Sequence, residues 1–153
     1  MTKRRYYKKR PIIGPVEEVL LARRTGNKKH VLARIDTGAD YSCICEKLAI
    51  SIGFKSIVSE LQKLKHIIRN PKKNYRPERE LLNRIKGVKG AILIRSAAGR
   101  TRRVFVPLKI ELAGKLIKTK VTIIERTHME YPMIVGRKDL QKGKFVMDPL
   151  RRR

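Results

Sequence analysis

One turn in this sequence has residue types that could do chemistry. Residues 34–44 read RIDTGADYSCI. Val31, Leu32, Ala33 and Ile35 lead in as a short aliphatic run, which suits a buried strand. Asp36, Thr37 and Gly38 then turn, and Tyr41 to Cys45 lead out. A carboxylate at the end of a buried strand is costly unless a neighbour hydrogen-bonds it or shares its proton. The Thr37 hydroxyl can donate or accept beside it. Gly38 allows close backbone approach and an unobstructed N–H. Asp36, Thr37 and Gly38 are therefore the candidate catalytic residues.

The run Asp36-Thr37-Gly38-Ala39-Asp40 resembles the signature of the retropepsins, half-length aspartic peptidases. Their second signature, an apolar strand ending in Gly-Arg before a short helix, is matched by Met133-Ile134-Val135-Gly136-Arg137-Lys138-Asp139-Leu140. The tail Lys144 to Pro149 further resembles a prokaryotic branch often labelled "ATP-dependent zinc protease". The resemblance covers residues 12–53 and 91–150 but not the middle. It implies a mainly β fold, a small closed β-barrel, in which Ala39, Asp40, Gly136 and Arg137 support the turn and Asp40 pairs with Arg137. It also implies a flap over substrate, placed here at Ser96-Ala97-Ala98-Gly99-Arg100.

Aspartic peptidase chemistry needs two adjacent carboxylates sharing one proton, one acting as base on a water and the other as acid toward the substrate carbonyl. The chain has four aspartates and only one such motif, since Asp148-Pro149 lacks the Thr-Gly. A peptidase would therefore be a symmetric homodimer with one Asp36 from each copy. The zinc label finds no support. His30, His66 and His128 are scattered, there is no His-Glu-x-x-His, and Cys43 and Cys45 lack a second pair. No phosphate-binding glycine loop is present either. No metal and no cofactor are expected.

The elements that must position the turn follow from periodicity. Strands are expected at 16–23 and 30–36, joined by a turn at Thr25 to Lys28, and at 41–45, followed by a helix over 46–52. A hairpin is expected from 91–95 and 102–112, whose Val104, Val106, Leu108, Ile110 and Leu112 alternate strictly. A strand over 115–125 carries Leu116, Val121, Ile123 and Ile124. The last core strand is 132–135, followed by a helix over 137–140 that Gly143 breaks and a terminal strand at 145–147. Residues 54–90 form a basic insertion with eleven Lys/Arg and three acids. Ile57, Leu61, Leu64 and Ile68 make one helical face there, and Pro77 opens a second helix with Leu81, Leu82 and Ile85. The expected organisation is a basic arm over 1–11 and one domain over 12–153, interrupted by the insertion.

Composition points to partners. The 153 residues include 39 Lys and Arg against 13 acids, a formal charge of +26. Such a chain repels itself and adheres to polyanions. A salt-bridged surface of the thermophilic kind would need acids in similar number. The arm MTKRRYYKKR reads as an unstructured element with six basic residues and two tyrosines, suited to phosphate contact and base stacking. RNA contacts are expected from Arg4, Arg5, Lys8, Lys9 and Arg10 of the arm, from Arg69, Lys72, Lys73 and Arg76 of the insertion, and from Arg151, Arg152 and Arg153 of the tail. No apolar run is long enough to span a membrane, no secretory signal is visible, and two cysteines two positions apart suit a reducing compartment. A cytoplasmic location is expected.

Two functions from different classes remain. One is a ribosome-associated, rRNA-binding protein on a retropepsin-like scaffold, in contact with ribosomal proteins. The other is a homodimeric aspartic peptidase trimming acidic protein tails. The charge favours the first, because two such copies face to face repel. The intact motif favours the second, which stands as the alternative to the expected ribosome-associated function.

Overall fold

The protein is described by a computed structural model covering residues 4–23, 28–73, 75–125 and 129–152. Its strands are β1 (Tyr6–Tyr7), β2 (Arg10–Ile13), β3 (Val16–Ala22), β4 (Lys28–Asp36), β5 (Cys43–Cys45), β6 (Ala91–Ser96), β7 (Gly99–Leu112), β8 (Lys115–Ile124), β9 (Met133–Gly136) and β10 (Val146–Met147). The helices are α1 (Glu46–Ser51), α2 (Lys55–Lys63), α3 (Lys65–Arg69), α4 (Arg76–Asn83) and α5 (Arg137–Gly143). The fold is mainly β. The main sheet runs β3-β4-β9-β5-β8-β7-β6, and β3 also pairs with β7. That last pairing closes six strands into a ring and leaves β6 outside it. The ring is uneven, because β5 contributes only three residues.

The alternation in β7 places Val104, Val106, Leu108, Ile110 and Leu112 in the core, where they meet Val19 and Leu21 of β3 and Val121 of β8. A tight turn at Ala113 (φ 48°) and Gly114 (φ 75°) links β7 to β8. Ile117, not Leu116, faces inward in β8, and Leu116 is 63% exposed. The register explains this, since Leu116 pairs with exposed Glu111 and Ile117 with buried Ile110. The turn expected at residues 25–28 lies largely outside the described residues. Its flanking strands pair antiparallel from Val16↔Arg34 to Ala22↔Lys28.

The insertion shares the barrel's core. Ile57, Val58, Leu61, Ile67 and Leu82 are buried in the same apolar cluster as the strands, while Lys55, Lys63, Lys72, Lys73, Arg79 and Lys86 stay exposed. The single helix expected over 57–68 is two, α2 and α3, broken at Leu64. In α4 Leu82 is fully buried and Leu81 is 40% exposed, because a helix this short turns only one of two adjacent residues to the core.

The N-terminal arm is not unstructured. β1 and β2 form an antiparallel hairpin through Lys8 and Lys9, both at positive φ, and β10 joins β2 in parallel. Too short for a periodic signal, this three-stranded sheet ties the two ends of the chain together. The Arg151 guanidinium donates to the Ile12 carbonyl, and Arg10 Nε donates to the Lys144 carbonyl at 2.8 Å.

The insertion is also held by charge. Arg69 donates to both Glu125 oxygens, at 2.6 and 3.1 Å, and Lys65 lies 3.2 Å away. The Arg69 hydrogen bonds, supported by Lys65, hold the Glu125 carboxyl below the ordinary carboxylate range against partial burial. Burial, with repulsion from Glu125, pushes Glu46 above that range, and contacts to Gln62, Lys65 and Arg69 offset only part of this. An acid with a raised folded-state value favours the fold while neutral and loses that contribution as pH rises through that value. Glu46→Gln is therefore expected to raise the thermal midpoint at pH 7, with the difference vanishing below about pH 4. Thermal scans across pH check this, and a lowered midpoint at pH 7 would contradict it.

Candidate active site

β4 delivers Asp36 at its last position, and β9 runs parallel beside it with Asp36↔Gly136 in register. β9 in turn pairs antiparallel with β5, so it fills the gap between the two strands that flank the turn. Asp36 is half-buried, and Thr37 and Gly38 are exposed. The Gly38 amide donates to Asp36 Oδ1 at 2.9 Å, which fixes the carboxylate's rotamer. The Ala39 and Asp40 carbonyls accept from the Arg137 and Lys138 amides at 2.7 and 3.1 Å. The first turn of α5, whose amides have no partner within the helix, is thus capped by the candidate catalytic loop itself. Arg137 Nη2 also donates to Asp40 Oδ1, an exposed ion pair that locks loop to helix.

Beneath the loop lies a contact that the sequence did not reveal. Ser42 Oγ donates to Asp139 Oδ2 at 2.6 Å and accepts from the Gly136 amide at 3.0 Å, all of it buried. Asp139 is one of only 13 acids and sits in the first turn of a helix, the one hint the sequence held. Gly136 must be glycine for a steric reason. A Cβ there would collide with the Tyr41 carbonyl and lie 2.8 Å from the Ser42 nitrogen. Tyr41 extends the arrangement outward. Its ring meets Phe105 of β7 edge-on with centroids 4.9 Å apart, and its hydroxyl accepts from Lys138 Nζ at 2.7 Å.

The hairpin β6–β7 turns at Ala97-Ala98, with Ser96 and Gly99 closing the ladder and Arg100 opposite Arg95. Ser96 to Arg100 are all exposed, and Gly99 has φ 113° with open space around it. Arg102, two residues further along β7, is 2% exposed and donates to the Lys72 carbonyl of the insertion. A cleft of about 520 Å³ beside Thr37 is lined by Arg10, Arg137, Leu140, Gln141, Lys144 and Phe145, with no acidic side chain.

The residues expected to meet RNA fall into two groups. Arg4, Arg5, Lys8, Lys9, Lys72, Lys73 and Arg152 present exposed cations. Arg10, Arg69, Arg76 and Arg151 are engaged within the protein, Arg76 with Glu80 at 2.8 Å and Arg69 with Glu125. Arg153 lies outside the described residues. Tyr6, Tyr7 and Tyr75 are exposed, and Lys8 and Lys72 lie over the rings of Tyr7 and Tyr75 at 5.5 and 4.9 Å. His30 contacts Glu18 at 2.9 Å, His66 is exposed, and His128 is not among the described residues.

A strand-borne Asp-Thr-Gly turn beside a Gly-Arg strand, present once in the chain, is the pattern of the retropepsin-like class. The family model described as "Retropepsin-like aspartic endopeptidase RimB" matches residues 12–153, and the chain belongs to this RimB-like family. The bounds of the match enclose residues 54–90, which the two motifs left uncovered. Among solved structures, a Legionella pneumophila protein of unknown function is 18% identical, with a TM-score of 0.49 over 90% of this chain and 92% of that one. The EIAV protease in complex with an inhibitor is 19% identical, with a TM-score of 0.48 over 97% and 95%. The search of curated proteins gives no match.

Two substitutions test the site's foundation. Ser42→Ala leaves a buried Asp139 oxygen and the Gly136 amide without their partner and is expected to cost about 1–3 kcal/mol. Gly136→Ala forces β9 away from Tyr41 and is expected to cost about as much or more. Chemical denaturation measures both, and a Gly136→Ala protein of unchanged stability would refute the steric argument.

Proposed function

We propose that the protein is an aspartic endopeptidase that acts as a homodimer, with Asp36 of each copy forming the catalytic pair. The observation that carries this reading is Asp36 itself. It sits half-buried at a strand end, beside the exposed Thr37-Gly38 turn, on a loop anchored by α5, in a chain of the RimB-like family. One carboxylate takes a proton from the attacking water while the other protonates the peptide carbonyl, giving a neutral tetrahedral intermediate. Its collapse returns a proton to the leaving amine.

Electrostatics argues for acidic substrates. The cleft beside Thr37 has Arg10 and Lys144 in its wall and no carboxylate among its lining side chains, and the Arg137 that also lines it is paired with Asp40. At the flap tip Arg95 and Arg100 stand directly opposite each other, both exposed, and an anion between them would relieve like-charge repulsion. The charge of +26 supports a second activity, association with RNA such as ribosomal RNA, through Arg4, Arg5, Lys8, Lys9, Lys72, Lys73 and Arg152. A bound polyanion would also remove the repulsion that opposes pairing of two copies. Cys43 and Cys45 are buried small side chains two positions apart, a usage that fits a reducing cytoplasm.

Incubating the full chain with a mixed peptide library, read by mass spectrometry, tests the peptidase. Cleavage enriched beside Glu and Asp is expected, strongest at mildly acidic pH where a carboxylate pair holds one proton. Asp36→Asn is expected to abolish cleavage while leaving stability and RNA binding intact, and activity that survives it overturns the aspartic mechanism. For the second activity, binding to rRNA fragments is expected to fall by roughly 0.7–0.9 log units per phosphate contact for each decade of salt. Removal of residues 1–9 is expected to flatten that slope, and a salt-independent affinity would count against the electrostatic reading.

A further inference from the structure

The outer part of the flap hairpin has no support from the barrel. β8 pairs with β7 only over Phe105–Leu112, and β3 only over Lys109–Leu112. From Gly99 to Val104, β7 has β6 as its only strand partner among the described residues. In this unsupported stretch the chain buries an arginine. Arg102 continues the inward parity of Val104, Val106 and Leu108, at a position where the alternation calls for an apolar side chain, and is 2% exposed. Burying a guanidinium costs several kcal/mol unless its donors are met.

Its partners among the described residues, Lys72 and Glu78, lie in the insertion. Arg102 Nη2 donates to the Lys72 carbonyl at 3.0 Å, and Nε lies 3.6 Å from Glu78 Oε2 without reaching a hydrogen-bond partner. Glu78 is itself buried and accepts from the Lys72 amide at 3.2 and 3.4 Å. Lys72 is thereby gripped at both its amide and its carbonyl, and the loop entering α4 is clasped to the hairpin four residues from the Ala98 tip. The opposite face of β7 carries Phe105, which meets Tyr41 just after the Asp36 turn. The base of the hairpin is thus set between the candidate catalytic loop on one face and the insertion on the other.

We propose that Arg102 is a positioning residue for the flap, and that the helical insertion acts through it as a brace that sets where the hairpin tip stands over Asp36. The positioning role rests on the reading of β6–β7 as the element that covers substrate. The brace itself is a property of the fold and can be measured separately. A buried pair kept only for stability could be exchanged for apolar side chains with little loss. A brace could not, because the Lys72 carbonyl would lose the donor that ties it to the hairpin.

The test compares the full-length wild type with Arg102→Met and with the double variant Arg102→Met, Glu78→Met. The double variant leaves no unpaired buried charge and keeps the comparison valid if the single variant misfolds. Amide hydrogen exchange of residues 92–103 is expected to run about tenfold faster in the double variant, with strands β3, β4 and β8 unchanged. With a peptide that the wild type cleaves, KM is expected to rise severalfold with a smaller change in kcat, and Arg102→Lys to recover only part of the loss. Tip exchange equal to wild type in a stably folded double variant overturns the brace. Faster tip exchange with unchanged kcat/KM overturns the positioning role. A wild type that cleaves no peptide defeats the peptidase reading, while the exchange result still decides whether the insertion holds the hairpin.

Discussion

The candidate site depends on the seating of β9 between β4 and β5. Gly136 makes it possible, because a side chain there would strike the backbone at Tyr41 and Ser42. With β9 in place, the Gly136 amide reaches Ser42 Oγ, Ser42 reaches Asp139, and the first amides of α5 reach the carbonyls of Ala39 and Asp40. Each bond satisfies a backbone or buried polar group that would otherwise be left unpaired. The loop carrying Asp36 is held by these bonds in series, so its geometry is a consequence of one close backbone approach. Under the proposed peptidase reading such a network would matter, since loose placement of either carboxylate of a pair would lose the shared proton.

Charge is arranged around this core with some economy. Of the few acids, Asp40, Asp139, Glu78 and Glu125 each serve a tie: loop to helix, strand to helix, insertion loop to hairpin, insertion helix to strand end. The cations engaged by them are structural. The cations left exposed, on the arm, the insertion loop and the tip of the β6–β7 hairpin, form the field that a polyanion or an acidic peptide would meet. Peptidase and RNA association are therefore compatible readings of one surface, and they draw on different residues.

The insertion belongs to the fold in a physical sense. Ile57, Val58, Leu61 and Leu82 complete the core that the strands begin, and Arg102 and Glu125 bind the insertion to the rim of the sheet. It adds apolar area to a small barrel whose thinnest strand has three residues. It also stands against the part of the β6–β7 hairpin that the barrel leaves without strand partners.

What the sequence determined by itself was local and periodic. Asp36-Thr37-Gly38 announces its turn because a carboxylate at the end of a buried strand has few other uses. Val104 to Leu112 announces a half-buried strand by period, and Ile57 to Ile68 a packed helical face. The tertiary structure decided what depends on partners far apart in the chain. Ser42 and Asp139 are 97 positions apart, and no period links them. Arg102 is indistinguishable from the arginines around it until the insertion folds over it. Leu116 follows the register with β7, not its own hydrophobicity. The arm's β1–β2 hairpin gains its third strand from β10, far along the chain, which lies beside β2. Each of these outcomes is set by which groups meet after folding, and a linear pattern of residue types carries no record of such meetings.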